Sequence, residues 1–211
     1  MHKLILIGGG GHCRACIDVI EATGKYEILG ILDREELIDT EIIGYKIIGT
    51  DADIIKYIDQ GYQFLITVGQ IKSVEVREKI FNILILNEAN LATIISPRAY
   101  VSKHAQIGFG TIIMHNAIVN ANANVGDNCI INTGCNIEHD ARIGNQTHIS
   151  TSAIINGDVV IGNRVFIGSN STVSSQVKLA GDIIVGAGSV VVKDICESGT
   201  YVGNPVQKLN V

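Results

Sequence analysis

From Ile95 onward an aliphatic residue recurs at every sixth position, through Val101, Ile107 and Ile113 to Val185 and Val191. All seventeen positions in this series are Ile, Val or Leu, and no insertion breaks the phase. Chance aliphatic richness does not hold a register that long, so each hexad reads as one short strand followed by a corner, and three hexads make one triangular coil. The coil period shows independently at the second hexad position, where Gly108, Gly126, Gly144 and Gly162 recur every eighteen residues. Position four is Gly, Asn or Asp in eleven of the seventeen hexads, as corners with positive φ require. Position five holds small or aliphatic residues such as Ala99, Ala105, Thr111 and Ala141, which lets a narrow prism close around its interior. At ~4.8 Å per coil, just under six coils give a prism about 28 Å long.

Residues 1 to 90 follow a different rhythm. Leu4 to Ile7 is a short apolar run, Gly8 to Gly11 a tight turn, and His12 to Ala22 a helix; a second strand, Glu27 to Leu32, ends at Asp33. Strands at Tyr45 to Ile48 and Gln63 to Val68 alternate with helices at Asp51 to Asp59 and from about residue 72 to 86. Alternating β and α elements predict a small parallel sheet. The expected organisation is therefore a Rossmann-like α/β domain over 1–90, followed by a parallel β-helix over 91–211.

Composition narrows what such a chain does. The net charge of −5, the 5% aromatic content and the absence of a basic cluster argue against nucleic acid, whose phosphates demand concentrated Lys and Arg. The apolar run near the N-terminus is only four residues long, which fits neither a signal peptide nor a spanning helix, so a cytoplasmic protein without a membrane partner is expected. Five scattered cysteines read as free thiols. Cys13 and Cys16 have the spacing of a redox pair, but within a helix the reading as packing residues is preferred; Cys129 and Cys135 fall at inward position five.

Two places carry candidate chemistry. Glycines between a strand and a helix let backbone approach a phosphate, and the helix N-terminus offers N–H donors and partial positive charge. Asp33 follows about twenty residues later, where a carboxylate reaches a ribose or base edge. The dinucleotide fingerprint is incomplete, because its third glycine is Cys13, and a turn that only packs helix on sheet is the competing reading. In the repeat, His139 stands at outward position three beside Asp140, while His104 and His115, on earlier coils, are expected to be solvated. An outward imidazole, neutral near pH 7, suits removal of a proton from an attacking nucleophile. Asp140 also occupies position four, where a corner favours Asp whatever the chemistry.

The unbroken hexapeptide rhythm over 95 to about 206 resembles the bacterial hexapeptide-repeat acyltransferases, which implies a left-handed β-helix assembled as a homotrimer with the acyl donor bound between neighbours. The Gly-His turn, the acid closing the second strand, the Val68-Gly69-Gln70 turn and the closing Gly203-Asn204-Pro205 make the resemblance narrower. Together they resemble the sugar O- and N-acetyltransferases that act on UDP-bacillosamine precursors, GDP-perosamine or sialic acids. The resemblance implies acetyl-CoA as donor, no metal, and a nucleotide-sugar acceptor contacted by Gly10, Gly11, His12, Asp33, Arg34 and Gly69. Arg34 stands where some members carry a second acid, so the nucleotide base stays open between UDP and GDP. The same resemblance makes His139 the general base, with Asp140 raising its basicity, and puts His148, Ser169, Gly186 and Ala187 on the acetyl-CoA. His148 lies nine residues beyond His139, on the next face of the prism, so both reach one acetyl group only if a neighbouring subunit supplies one of them.

The leading expectation is N-acetylation of a nucleotide-linked amino sugar by direct attack, since inward Cys129 and Cys135 offer no nucleophile for an acyl-enzyme. O-acetylation of a sialic acid shares every motif and is the alternative. A γ-class carbonic anhydrase is disfavoured, because His104 and His139 lie about two coils apart, roughly 10 Å, too far to share a zinc. A non-catalytic solenoid would leave the Gly-rich domain and His139 without a purpose.

Overall fold

The computed structural model describes residues 1–209. Two units form within the chain, one from Met1 to Ile94 and one from Ile95 onward.

In the first unit, β1 (His2–Ile7), α1 (Gly11–Thr23) and β2 (Tyr26–Leu32) open a six-stranded sheet. β3 (Glu41–Ile42), β4 (Tyr45–Gly49), α2 (Ile54–Asp59), β5 (Gln63–Ile66), α3 (Glu75–Leu86) and β6 (Asn90–Leu91) complete it, in the order β3-β4-β2-β1-β5-β6. Strands pair in parallel except β3, which turns back on β4. Neither β3 nor β6 is legible in the sequence. The β3–β4 turn uses Ile43 at φ 48° and Gly44 at φ 80°, and a β-branched residue is an unfavourable occupant of that left-handed region. The expected helix from Asp51 begins as one 3₁₀ turn capped by Thr50 and becomes α-helical only at Ile54. Ile5, Ile7, Leu32, Phe64 and Ile66 pack with Ile54 and Tyr57 of α2 and with Ile80 and Leu84 of α3.

In the second unit the hexads become two-residue strands that pair with the strand eighteen residues away, giving a left-handed parallel β-helix. The outward residue of each strand defines three faces. Ile112, Ile130, His148, Phe166 and Ile184 stack on the first. Tyr100, Ile118, Asn136, Ile154, Thr172 and Val190 stack on the second, and Gln106, Asn124, Arg142, Val160 and Lys178 on the third. Inside, the position-one and position-five residues form one continuous core, in which Ile131, Ile137, Ile149, Ile155 and Ile167 are fully buried. The coil shortens at its end, where Ile183 pairs with Gly199, and a hairpin of Gly199–Gly203 with Val206–Lys208 closes the prism.

The two glycine-bearing corner positions do different work. Fourteen successive position-four residues, Gly110 to Gly188, have φ between 51° and 70°. Gln146, Ser152, Arg164 and Gln176 adopt this conformation without being Gly, Asn or Asp. Neighbouring coils brace some of them: Asn128 Nδ2 donates to Gln146 Oε1 at 3.0 Å, and Arg164 makes a two-point contact with Asp182 at 2.7 Å. Position-two glycines answer instead to close approach. A Cβ on Gly144 would stand 2.6 Å from the Gly162 carbonyl carbon and oxygen of the next coil.

Candidate active site

β1 is the point where the sheet order reverses, since the chain leaves it toward β2 on one side and returns to β5 on the other. Open α/β sheets bind ligands in the crevice outside the strand ends at such a point. A cavity of about 600 Å³ lies there, lined by residues that follow four strands: Gly8 and Gly10 after β1, Asp33 to Glu35 after β2, Thr50 to Ala52 after β4, and Val68 and Gly69 after β5.

Gly8 sits at φ 103° with its backbone against Val68, so a side chain there would meet the Val68 amide at 2.9 Å. Gly10 precedes α1 with no side-chain cap, and a Cβ at Gly10 or Gly11 would meet nothing within 4 Å. The helix thus begins at a cavity-lining glycine that bears no side chain to fill the space in front of it. Asp33 accepts from the Gly9 N–H and, at 2.7 Å, from the Arg34 N–H, so its carboxylate ties the glycine turn to the end of β2. Of the expected acceptor residues, Gly10, Asp33, Arg34 and Gly69 line the cavity. Gly11 and His12 open α1 beside it, and His12 Nε2 lies 3.3 Å from Cys16 Sγ.

Sequence reasoning missed two buried residues that hold this rim. Thr67 Oγ1 donates to the Gly8 carbonyl at 2.6 Å, and Arg77, 1% exposed, donates through Nη1 to the carbonyls of Ile66 at 2.9 Å and Val68 at 2.6 Å. Only the chain path, which returns α3 beneath the β5 turn, reveals Arg77. Burial pushes the Cys13 thiol up to about 11 and raises Cys16 further, so both stay protonated and behave as packing residues.

The second constellation lies on the β-helix. His139 follows the Asn136–Ile137 strand at the corner between the second and third faces, and its side chain is 59% exposed. Its Nδ1 is 2.8 Å from Asp140 Oδ2; an ionised carboxylate only accepts, so Nδ1 carries the proton and Nε2 keeps a free lone pair. Asp140 is at the same time a corner residue, at φ 62°, and its other oxygen accepts from Asn122 Nδ2 at 2.6 Å. The corner and the histidine partnership are thus filled by one residue. The hydrogen bond to Asp140 raises the His139 pKa above its ordinary value, with the charges of Asp140, Asp158 and Glu138 adding to it. Glu138 is held ionised by Asn136 and Asn120, whose amides donate at 2.8 and 2.9 Å. Asp140 also lines a polar cavity of about 510 Å³ on the third face, with Asn122, Asn124, Arg142 and Asp158.

His148 departs from expectation. It stands on the first face, one corner away from His139, but is only 6% exposed. Phe166 packs on it in edge-on geometry at 5.1 Å, and Asn132 Nδ2 lies 3.1 Å from its Nε2. Neighbouring coils thus cover a ring that the hexad register alone leaves outward, and Asn132 is a further residue the sequence did not single out. Ser169, Gly186 and Ala187 cluster at the corner that follows the first face, where Ser169 Oγ meets Ser150 Oγ at 2.9 Å and the Gly188 N–H donates to the Ser169 carbonyl at 2.8 Å. The other outward histidines differ from each other: His104 is exposed, whereas His115 Nδ1 is bound to Ser96 Oγ at 2.6 Å. Cys129 and Cys135 are fully buried. Among the described residues no three His, Cys, Asp or Glu side chains are grouped to hold a metal, and no helix is long and apolar enough to cross a membrane.

Comparison with known proteins gives this geometry a context. The family model described as PglD N-terminal domain matches residues 3–84, and the bacterial transferase hexapeptide model, of six repeats, matches residues 140–175. No curated protein sequence matches the chain. Among solved structures, the acetyltransferase domain of PglB from Neisseria gonorrhoeae FA1090, in complex with acetyl coenzyme A, is 30% identical with a TM-score of 0.91, the match covering 99% of either chain. PerB from Caulobacter crescentus, in complex with CoA and GDP-perosamine, is also 30% identical with a TM-score of 0.91, over 100% of this chain and 98% of that one. WeeI from Acinetobacter baumannii AYE shares the fold at 20% identity and a TM-score of 0.87, over 99% of this chain and 100% of its own. Full-length similarity at this identity, joined to the two matched domains, makes the chain a member of the bacterial hexapeptide-repeat sugar acetyltransferases that carry a PglD-type N-terminal domain.

Proposed function

We propose that this enzyme transfers the acetyl group of acetyl-CoA to the amine of a UDP- or GDP-linked amino sugar, with His139 as general base. The observation that carries the reading is the exposed His139, oriented through Nδ1 by Asp140 with Nε2 open. PerB, similar over its full length, binds CoA and GDP-perosamine, which favours a nucleotide-linked acceptor. In this reading Gly10, Gly11, His12, Asp33, Arg34 and Gly69 hold the sugar nucleotide at the strand ends, the phosphates lying on the N-terminus of α1.

His139 Nε2 removes the proton that the acceptor nitrogen sheds as it attacks the thioester carbonyl, and returns it to the departing CoA sulfur. Asp140, ionised throughout, stabilises the imidazolium formed in between. No protein nucleophile takes part. Small side chains at Gly186 and Ala187 fit a pantetheine arm against backbone amides, with Ser169 and the His148–Asn132 pair bordering it. These donor-side residues and His139 stand at different corners of one prism, so a complete site draws on two chains. The second face, where Tyr100, Ile118 and Ile154 are 60, 39 and 39% exposed, supplies an apolar surface for such packing in a homotrimer. The enzyme would act in the cytoplasm, where acetyl-CoA and nucleotide sugars meet.

Release of CoA, followed with UDP- and GDP-linked 4-amino sugars and with free sialic acid, tests the assignment. Turnover only with the free sugar, and no heat on titrating UDP or GDP, would replace it with O-acetylation of sialic acids.

A further inference from the structure

The His139 ring rests on the next coil at a position without a side chain. Gly157 lies eighteen residues on, at the same hexad position and corner. A Cβ there would stand 2.7 Å from His139 Cε1, 2.8 Å from Nε2 and 3.3 Å from Nδ1, so all three meet the space a methyl group would fill. Gly157 is not among the residues at positive φ, so its backbone does not demand glycine. Nor does chain pairing, because the bonds on either side use main-chain atoms alone: Asp158 N–H donates to the His139 carbonyl at 3.1 Å, and Gln176 N–H to the Gly157 carbonyl at 3.0 Å. The atoms nearest that space all belong to the imidazole, so a side chain at 157 would have to displace the ring.

We infer that Gly157 is a positioning residue for the acetyl transfer: its bare Cα is the seat that holds the His139 ring flat against the coil, aligned with Asp140 and with Nε2 presented to the acceptor. The inference rests on His139 being the base. Any side chain at 157 lifts the ring, and because Nδ1 faces Asp140 over only 2.8 Å, lifting it also breaks that hydrogen bond. The groups charged around the imidazole are Glu138 and Asp140 from its own coil and Asp158 from the coil that carries Gly157, with Arg142 acting on Asp140. None is removed by a change at 157, so an altered His139 titration would report ring geometry and not lost charge.

Gly157→Ala is the test. It should lower kcat on the order of a hundredfold, the scale of a 1 Å misplacement, with KM for acetyl-CoA unchanged. The acid limb of the pH–rate profile should move down, toward an unpartnered histidine, and the His139 resonance followed by NMR should titrate lower by the same amount. In a His139→Ala background the glycine change should have no further effect on the residual rate. Wild-type turnover and an unmoved His139 titration in Gly157→Ala would overturn the inference. If His139→Ala itself proves active, the base assignment fails, while the NMR titration still reads whether Gly157 seats the ring. Should Gly157→Ala not fold, a nuclear Overhauser contact between the His139 Cε1–H and the Gly157 α-protons of the wild type decides: its presence supports the seat and its absence overturns it.

Discussion

Replacing Asp140 with Asn probes the base through its proton affinity without removing the imidazole. In the native pair the carboxylate accepts the Nδ1 proton at 2.8 Å and is itself held by Asn122 at 2.6 Å. The Asn122 hydrogen bond, followed by that of His139, lowers the Asp140 pKa, so the partner stays ionised across the working range. The sign follows from which form works. In the proposed mechanism transfer needs neutral His139, and a raised pKa means the proton is still bound at a pH where an ordinary histidine, near 6.5, has lost it. The acid limb of kcat/KM for the wild type should therefore lie above about 6.5. An Asn side chain accepts the Nδ1 proton through its amide oxygen, which preserves tautomer and orientation but contributes no charge. Asp140→Asn should thus shift the acid limb downward and cost on the order of tenfold in the plateau rate, well short of the ~10²–10⁴-fold that follows deletion of a general base. Asp158 and Glu138 remain, so part of the elevation persists. The assay is CoA release between pH 5 and 9 at saturating donor. An acid limb that stays where it was, or a loss as large as that of His139→Ala, would refute the reasoning.

Other outcomes follow from the same geometry. His139→Ala should keep the fold and lose a hundredfold or more in turnover, measured as initial CoA release. Gly10→Ala, whose Cβ meets nothing within 4 Å, should melt within a degree or two of the wild type but bind nucleotide more weakly by titration calorimetry, because the methyl group occupies the phosphate's approach to α1. Ile143→Ala, 3% exposed in the prism core, should destabilise by about 2–5 kcal/mol in chemical denaturation. If the site is shared, mixed trimers refolded from inactive His139→Ala and His148→Ala chains should recover activity that neither parent shows.

The β-helix was legible because its period is enforced by packing: every position-one residue must enter one narrow core, and a single polar intruder would break the series. The corners were half legible. Asn and Asp announced positive φ at position four, yet Arg164 and Gln146 adopt it under bracing by Asp182 and Asn128, a condition visible only once coils eighteen residues apart are stacked. In the α/β unit the buried runs identified β1, β2 and β5, whereas the two-residue strands Glu41–Ile42 and Asn90–Leu91 have too few residues to show any alternation. The site divides similarly. His139 stood out because an outward imidazole has no packing reason to be there, but Arg77, Asn132 and Glu138 look like ordinary helix and corner residues until their partners are known.

His148 shows where register alone misleads. Position six is outward by alternation, yet the same column places Phe166 above His148 and Ile130 below it. The first face carries buried residues at positions the period labels as exposed, with Ile112 and Ile130 at 0%. The third face, whose column is Gln106, Asn124, Arg142, Val160 and Lys178, stays open. The period determines direction only: the second face is also rich in isoleucine, yet its Ile118 and Ile154 are each 39% exposed. His139 has Gly157 as its next-coil neighbour and remains 59% exposed, whereas His148 has Phe166 and does not. The residue eighteen positions downstream, Gly157 for one ring and Phe166 for the other, is thus part of what separates an open imidazole from a packed one.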